Sequence, residues 1–258
     1  MTAALAWSDA VTAAQLFAID PVGTGGILVR SRAGPVRDRW VTILRAALPI
    51  CQPLKHLPLH IADGRLLGGL DLDATLLAGR PVAERGLLAE ADGGVLMVAM
   101  AERLPSAAAV HITAAMDARE IIVERDGLSL RMPARFGVIA LDEGLDDEFS
   151  PRSLGDRLGF HVDLNEIPIR EASDFAMDRA AISAALERLS ALRTNAEQIE
   201  AMCTAAAALG IVSLRAPILA LRVACASAAF AAHEAVEHDD IALAARLVLA
   251  PRALVFPQ

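Results

Sequence analysis

Four short apolar runs, separated by segments of helical periodicity, most constrain the fold of the first half of this chain. The runs are GGILVRS from Gly25, LKHLPLHI from Leu54, GVLMVAM from Gly94 and FGVIAL from Phe136. Each has the length and the aliphatic content of a strand. Because helices that connect parallel strands cover both faces of a sheet, the alternation predicts an α/β domain with a mostly parallel sheet.

Local signals add helices and a hairpin to this sheet. SDAVTAAQLFAID has helical spacing and predicts a helix capped by Ser8. PVRDRWVTILRAALP predicts a helix that begins at Pro35, a residue favoured in a first helical turn, and stops before Pro49. Alternating residues on both sides of Asp126-Gly127 predict a β-hairpin. Further helices are expected in DLDATLLAGR, RGLLAEADGG and SAAAVHITAAMDAREI.

The second part of the chain has a different character. After Leu164, the segments from Ala172 to Gly210 and from Ser213 to Leu249 have the composition and spacing of helices throughout. Pro168 marks the change. We therefore expect an α/β domain over residues 1–166, followed by an all-helical domain over residues 167–258.

Composition excludes several classes of function. The net charge of −8 and an aromatic content of 3%, with no Tyr, argue against nucleic-acid binding. No apolar run is long enough to span a bilayer, and the N-terminus lacks the basic segment of a signal peptide. Three scattered cysteines fit a reducing compartment, and we expect all three to be small buried side chains. These features predict a cytoplasmic protein.

The stretch GGILVRSRAGPVRDRWVTIL has the layout of a phosphate-binding loop but not its residues. The motif G-x-x-x-x-G-K-[ST], registered on the strand, falls on Ser31, Val36, Arg37 and Asp38. Val36 adds a Cβ where the loop wraps a phosphate, and Asp38 puts a carboxylate where a hydroxyl binds Mg²⁺. Arg37 keeps a positive charge, in a bulkier and forked form. Taken alone, the stretch is also compatible with an ordinary turn between a strand and a helix.

A second strand of an ATPase of this type ends in acidic residues that hold Mg²⁺ and polarise water. The corresponding strand, GVLMVAM, ends in Ala99 and Met100. Glu102 lies further on, and we interpret it as a solvated residue at the start of a helix. The phosphate loop and the second strand follow one another in the order expected of an ATPase, and both lack the functional residues. The sequence therefore indicates a degenerate copy of an ATPase module.

Four segments resemble the AAA+ subunits of magnesium chelatase, in the order of that family. They are the phosphate-loop stretch, the hairpin VERDGLSLRMPARF, the segment LGDRLGFHVDL and the helix VSLRAPILALRVACASAAFA. A fifth segment, LGGLDLDATLLAGRPVAERGLLAEADGGVL, resembles the part of the family that leads to the second ATPase strand. The altered phosphate loop is similar to that of the D-type chelatase subunits, which have poor or absent ATPase activity. The resemblance implies an AAA+ α/β module with a β-hairpin insertion and a helical lid. The D-type subunits continue into an acidic linker and an integrin-I-like domain, so we expect this chain to be a fragment.

The resemblance also implies roles for particular residues. Arg157 in GDRLG matches the arginine finger, which reaches the ATP of a neighbouring subunit; the alternative is a surface ion pair with Asp156. Arg215 in SLRAP matches the sensor-2 arginine; a structural ion pair is the alternative. Together with Gly34 and Arg37, Arg215 would form the remnant of a nucleotide site. No metal ligands are expected on this chain.

Near the family's sensor-1 asparagine, this chain carries Asp142 or Glu143. A carboxylate there would repel a γ-phosphate. The acidic run from Asp142 to Glu148 could hold a cation, but it is otherwise interpreted as a solvated loop or a surface that faces a partner. Two histidine pairs, His56 with His60 and His233 with His238, lack a spacing that favours metal binding and are expected at the surface.

The function implied by the resemblance is that of a platform subunit without ATP hydrolysis of its own. ATP and Mg²⁺ would be bound mainly by the partner ATPase subunit in a mixed AAA+ ring. The assembly, a ligase, would drive Mg²⁺ insertion into protoporphyrin IX on the large porphyrin-binding subunit, toward bacteriochlorophyll or chlorophyll. Two alternatives remain open: an active but atypical ATPase that uses Arg37, and an AAA+-derived adaptor outside tetrapyrrole synthesis.

Overall fold

The computed structural model of the protein describes residues 2–125, 128–145 and 147–255. The strands are β1 (Gly26–Arg30), β2 (Leu54–Leu57), β3 (Gly68–Leu70), β4 (Ala83–Arg85), β5 (Val95–Val98), β6 (Glu120–Arg125), β7 (Leu128–Pro133), β8 (Gly137–Asp142) and β9 (Phe160–Asp163). The helices are α1 (Ala3–Ile19), α2 (Pro21–Thr24), α3 (Pro35–Ala47), α4 (Asp63–Leu67), α5 (Leu72–Ala78), α6 (Leu87–Glu90), α7 (Ser106–Ala118), α8 (Arg152–Gly155), α9 (Arg179–Leu189), α10 (Ala196–Ala208), α11 (Arg215–Ala231) and α12 (His238–Ala244). A π-helical turn (Ala245–Leu249) and two 3₁₀ turns (Ala101–Arg103 and Ala250–Arg252) complete the elements.

The main sheet is parallel, with the strand order β2-β5-β8-β1-β9. This confirms the predicted α/β class and all four predicted strands. Alternate residues point to opposite faces, as a strand requires. Ile27, Val95 and Ile139 pack on the side of α1 and α3, whereas Leu96 and Val138 pack on the side of α7. Because these five strands are parallel, their carboxyl ends lie at one edge of the sheet.

Three short strands were not predicted from the sequence. β9 is an edge strand of four residues, in which His161 and Asp163 interrupt the apolar pattern. β3 and β4 are three residues each and pair with one another in antiparallel fashion. Such short segments carry too few residues for periodicity to distinguish them from loops, so only the pairing partner reveals them.

The predicted β-hairpin is confirmed by the antiparallel pairing of β6 with β7, from Glu120 opposite Pro133 to Arg125 opposite Leu128. Asp126 and Gly127, from which the turn was predicted, lie outside the described residues.

The predicted cap of the first helix is wrong. α1 begins at Ala3, where the Thr2 hydroxyl accepts a hydrogen bond from the Leu5 amide at 3.3 Å. Ser8 lies inside the helix, and its carbonyl accepts a hydrogen bond from the Thr12 hydroxyl at 2.9 Å. Thr2 is an earlier residue of the same capping type, and the turn that it adds brings the buried Trp7 into the helix.

The C-terminal part is helical but not continuously so. Non-helical segments precede α9 and separate α9 from α10, and α11 ends at Ala231, before α12 begins at His238. Local caps explain two of these starts: Asp178 caps α9, and Asn195 forms a capping box with Gln198 at α10. These breaks correct the expectation of helix throughout. Among the residues that the structure describes, no helix combines the length and the apolar character needed to cross a bilayer.

A buried carboxylate closes the turn between α11 and α12. The Asp240 carboxylate, 3% exposed, accepts hydrogen bonds from the Ser227 hydroxyl at 2.6 Å and the Glu237 amide at 3.0 Å. The His233 ring nitrogen Nδ1 lies 2.9 Å from the same group. This hydrogen bond raises the pKa of His233 above its ordinary value of 6.5. His233, expected at the surface, is therefore part of the lid structure.

His233 is expected to make the stability of the protein depend on pH. Since its folded pKa is raised, its stabilising contribution is fully present below about pH 6.5 and is lost as the pH rises through the folded pKa. His233→Gln should lower the melting temperature at pH 6 more than at pH 8. Thermal denaturation at both values measures this, with His56→Gln, at an exposed histidine outside the network, as the control. Equal losses at the two pH values would contradict the prediction.

Candidate functional site

The loop that follows β1 is held by hydrogen bonds from its own chain. The Ser31 amide donates to the Asp142 carbonyl at 2.9 Å, and the Arg32 amide donates to Asn165 Oδ1 at 3.0 Å. Gly34 precedes α3 in an extended conformation, and Pro35, which has no N–H, is the first helical residue. The loop lines a cavity of about 230 Å³ together with residues 164–167. The amides of Ser31 and Arg32 are thus bonded within the chain, and Pro35 has no amide hydrogen to offer a phosphate.

Arg37 points to the sensor-1 position rather than to open solvent. Its Nη1 donates to Glu143 Oε1 at 2.6 Å, and its side chain is 17% exposed. The Glu143 amide in turn donates to Glu102 Oε2 at 2.9 Å, and the Glu102 side chain is only 4% exposed. Glu102 is therefore not the solvated residue expected from the sequence. It supports the loop that brings the Glu143 carboxylate to Arg37.

Asp142 is also buried, which corrects the interpretation of the acidic run at this residue, whereas Leu145, Asp147 and Glu148 are exposed as a solvated loop requires. The Asp142 side chain is 2% exposed and accepts hydrogen bonds from the amides of Gly144 and Ser150, each at 2.9 Å. Arg30 Nη1 lies 3.5 Å from Asp142 Oδ1. The Arg30 guanidinium also lies 4.1 Å from the centre of the Phe149 ring. The carboxylate of Asp142 thus organises the loop after β8.

These residues do not fit Mg²⁺-ATP. The cation at the lysine position is already paired with a carboxylate, and Asp38 occupies the position of the metal-binding hydroxyl. Val36 carries a side chain where the motif has glycine. Within the described part of the chain, no group of three or more His, Cys, Asp or Glu side chains could hold a metal ion. We therefore derive no hydrolytic step at this loop.

A second cluster lies at the opposite end of β1. Gly25 precedes the strand with φ 73°, and a Cβ there would lie 2.0 Å from the Arg157 carbonyl oxygen. Arg157 donates through Nε to Asp117 Oδ1 at 3.0 Å, through Nη2 to Asp117 Oδ2, and through Nη1 to the Ser153 carbonyl at 2.7 Å. The partner of Arg157 is therefore Asp117 and not the neighbouring Asp156.

Arg215 contacts the same carboxylate. Its Nη2 lies 3.1 Å from Asp117 Oδ1 and 3.0 Å from Oδ2, and its Nε lies 3.9 Å from Asp156 Oδ2. The hydrogen bond from Arg157, followed by the one from Arg215, holds the pKa of the Asp117 carboxyl below its ordinary value. The two arginines line a cavity of about 230 Å³ that also contains Arg119 and Arg135.

The structure thus divides the predicted site residues between two places. It brings Arg157 and Arg215 together, and it puts Gly34 and Arg37 in a separate cavity. Between the two places lies β1, whose five residues span about 16 Å at the usual strand rise. Arg215 therefore does not reach the phosphate loop of its own chain, and the expected remnant of Gly34, Arg37 and Arg215 is not one site.

Sequence reasoning missed Asp117 and the pairing role of Glu143, and it gave Glu102 the wrong role. Asp117 precedes Arg157 by 40 residues and Arg215 by 98, so no local spacing connects it with them. The cysteine expectation was wrong for Cys51 and Cys203, which are exposed, and is confirmed for Cys225, which is buried.

Comparisons with known proteins agree with this architecture. The sequence profile of the AAA lid domain family matches residues 199–258. The magnesium-chelatase 60 kDa subunit of Cereibacter sphaeroides is 42% identical over 249 residues, which cover 96% of this chain and 41% of that protein. The magnesium-chelatase 38 kDa subunit of the same organism is 29% identical over 291 residues, which cover 92% of this chain and 86% of that protein.

The fold itself is also found among solved structures. A crystal structure of a candidate ATPase from Cytophaga hutchinsonii matches with a TM-score of 0.64 and 15% sequence identity, and the match covers 94% of this chain and 84% of that one. At this identity the likeness concerns the fold alone. The chain spans about two fifths of the length of the 60 kDa relative, 41%.

Proposed function

Because this chain belongs to the family of magnesium-chelatase subunits that carry an AAA+ module, we propose that it is a platform that does not hydrolyse ATP itself. In this proposal it assembles with the ATPase subunit in a mixed ring. The partner binds ATP and Mg²⁺, and the ring drives Mg²⁺ insertion into protoporphyrin IX on the large porphyrin-binding subunit. Arg157 of this chain contacts the ATP of its neighbour.

The contact of Arg157 and Arg215 with one carboxylate is the observation that carries this proposal. The two residues come from different parts of the chain and converge on one cavity, away from the phosphate loop of the same chain. An arginine supplied across a subunit boundary stabilises the charge that develops on the transferred phosphoryl group. Such a residue does not require a working nucleotide site on its own subunit.

The ion pair between Arg37 and Glu143 supports the proposal that this chain does not hydrolyse ATP itself. The charge of Arg37 is balanced by Glu143 at 2.6 Å and by Asp38 at 3.6 Å, which leaves it no surplus for a phosphate. The Asp117 cluster differs, because two arginines there share one carboxylate. The Glu143 carboxylate would also repel a phosphate that entered the loop. Hydrolysis by this chain is therefore disfavoured, and the alternative of an atypical ATPase that uses Arg37 predicts activity that Arg37→Ala abolishes.

ATP hydrolysis by defined mixtures tests the proposal. The partner is the chelatase ATPase subunit in a variant that lacks its own boundary arginine, so that only this chain can supply one. We expect no hydrolysis by either protein alone and measurable hydrolysis by the mixture. The control mixture contains Arg65→Ala, a change at an exposed arginine paired with Glu84, and it should behave as the wild type does.

Each negative result of this experiment contradicts a different part of the proposal. Hydrolysis by the isolated chain would overturn the non-hydrolysing assignment and favour the use of Arg37. A complex that forms on size-exclusion chromatography but stays inactive would overturn the role of Arg157. If no complex forms, the adaptor outside tetrapyrrole synthesis becomes the better explanation.

A further inference from the structure

Asp117 connects three elements that are distant in sequence. It lies in the last turn of α7, Arg157 follows α8, and Arg215 is the first residue of α11. Both carboxylate oxygens accept a hydrogen bond from each arginine. One side chain therefore sets the relative position of two guanidinium groups, one from the α/β part and one from the lid.

Interactions with the helix dipoles do not explain why Asp117 and Arg215 lie at these ends of their helices. A helix carries partial negative charge at its C-terminus and partial positive charge at its N-terminus. Asp117 lies near the C-terminus of α7, whose last turn has no basic residue, and Arg215 lies at the N-terminus of α11. Each charge is thus at the unfavourable end of its helix. The positions of these two charges are therefore explained by their pairing with each other and not by the stability of the helices that carry them.

We propose that Asp117 is a positioning residue that holds Arg157 and Arg215 as one clamp for the terminal phosphate of a nucleotide bound by the neighbouring subunit. This inference rests on the proposed function. Two guanidinium groups repel each other, and each long side chain loses rotamer freedom when it is ordered. A carboxylate between them offsets both costs before the phosphate arrives, which is the general advantage of a preorganised site.

The charge and the size of the cluster fit this role. One carboxylate between two guanidinium groups leaves a net positive charge, and Arg119 and Arg135 line the same cavity. Each guanidinium has five N–H donors in a planar fork, so the bonds to Asp117 leave others for phosphate oxygens. The cavity of about 230 Å³ is smaller than the roughly 300–1,000 Å³ of pockets that enclose a whole ligand. It suits one end of a nucleotide that is held elsewhere.

Asp117→Asn tests the clamp in the mixture with the partner variant that lacks its own boundary arginine. The amide cannot pair with both cations, so we expect the rate of ATP hydrolysis to fall roughly 10-fold to 100-fold, the size of effect that misplacement of a reacting group produces. Asp117→Glu, which keeps the charge, should restore part of the rate. The matched control is Glu84→Gln, since Glu84 has the same exposure as Asp117, 44%, and also pairs with an arginine.

Two further readouts separate positioning from a merely structural role. In a chain that also carries Arg157→Ala and Arg215→Ala, Asp117→Asn should change the rate no further. In nitrogen-15 spectra, the Nε–H signal of Arg157 should shift in Asp117→Asn and not in Glu84→Gln. If Asp117→Asn also lowers the melting temperature, Asp117→Glu separates the two effects, since recovery of the rate in that variant supports the clamp. An Arg157 Nε–H signal that does not shift in Asp117→Asn would overturn it.

Failure of the clamp and failure of the proposed function have different signatures. If Arg157→Ala abolishes hydrolysis while Asp117→Asn has the wild-type rate, only the clamp is wrong. If neither arginine affects the rate, Asp117 has nothing to position, and both proposals are overturned.

Discussion

Arg157→Ala is expected to lower ATP hydrolysis about 10³-fold or more in a mixture whose ATPase subunit lacks its own boundary arginine. The guanidinium stabilises charge on the transferred phosphoryl group, and a methyl group at this position supplies no charge or donor. Steady-state phosphate release from the mixture measures the effect. Because the removed side chain is 19% exposed and bonds to Asp117 and the Ser153 carbonyl, thermal denaturation of the isolated variant should accompany the assay.

Arg157→Lys distinguishes charge from geometry. Lysine keeps the positive charge but lacks the planar fork that bonds a carboxylate or a phosphate at two points. We expect it to recover only part of the lost rate. Hydrolysis at the wild-type rate in Arg157→Ala, with the complex still formed, would mean that the Arg157–Asp117 pair is purely structural.

Trp40→Ala is expected to destabilise the protein by about 3–5 kcal/mol, the range for removal of a large buried aromatic side chain. Trp40 lies in α3, is completely buried, and belongs to the core formed with α1 and the sheet. Its Nε1–H donates to the Ala10 carbonyl of α1 at 2.8 Å. Alanine would leave a cavity between α1 and α3 and would remove the hydrogen bond that joins them. Equilibrium unfolding in urea measures the free energy of unfolding.

Trp40→Phe is the matched control for this substitution. It retains an aromatic ring in the core and loses only part of the volume and the bond to the Ala10 carbonyl. Its cost should be well below that of alanine. A loss of less than about 1 kcal/mol in Trp40→Ala would show that the surrounding core collapses around the site and that Trp40 does not fix the position of α3.

Local patterns were sufficient for most of the fold. The four apolar runs carried enough consecutive aliphatic residues to identify β1, β2, β5 and β8, and Pro35 and Pro49 bracketed α3 correctly. The alternating residues that flank Asp126 and Gly127 identified the pairing of β6 with β7. These elements were predictable because their signals lie within about a dozen neighbouring residues. The edge strand β9 was missed because its four residues carry too weak a pattern.

The sequence by itself determined that the phosphate loop is altered, since Val36, Arg37 and Asp38 are read directly from it. The resemblance to the chelatase AAA+ subunits, rather than any local spacing, pointed to Arg157 and Arg215. Only the tertiary structure decided what these residues contact. The Arg37 partner, Glu143, is 106 residues away, and the shared partner of the two arginines, Asp117, is 40 and 98 residues away. The strand order and the docking of the lid create those contacts, and neither has a local signal, because pairing over such separations depends on how distant surfaces pack.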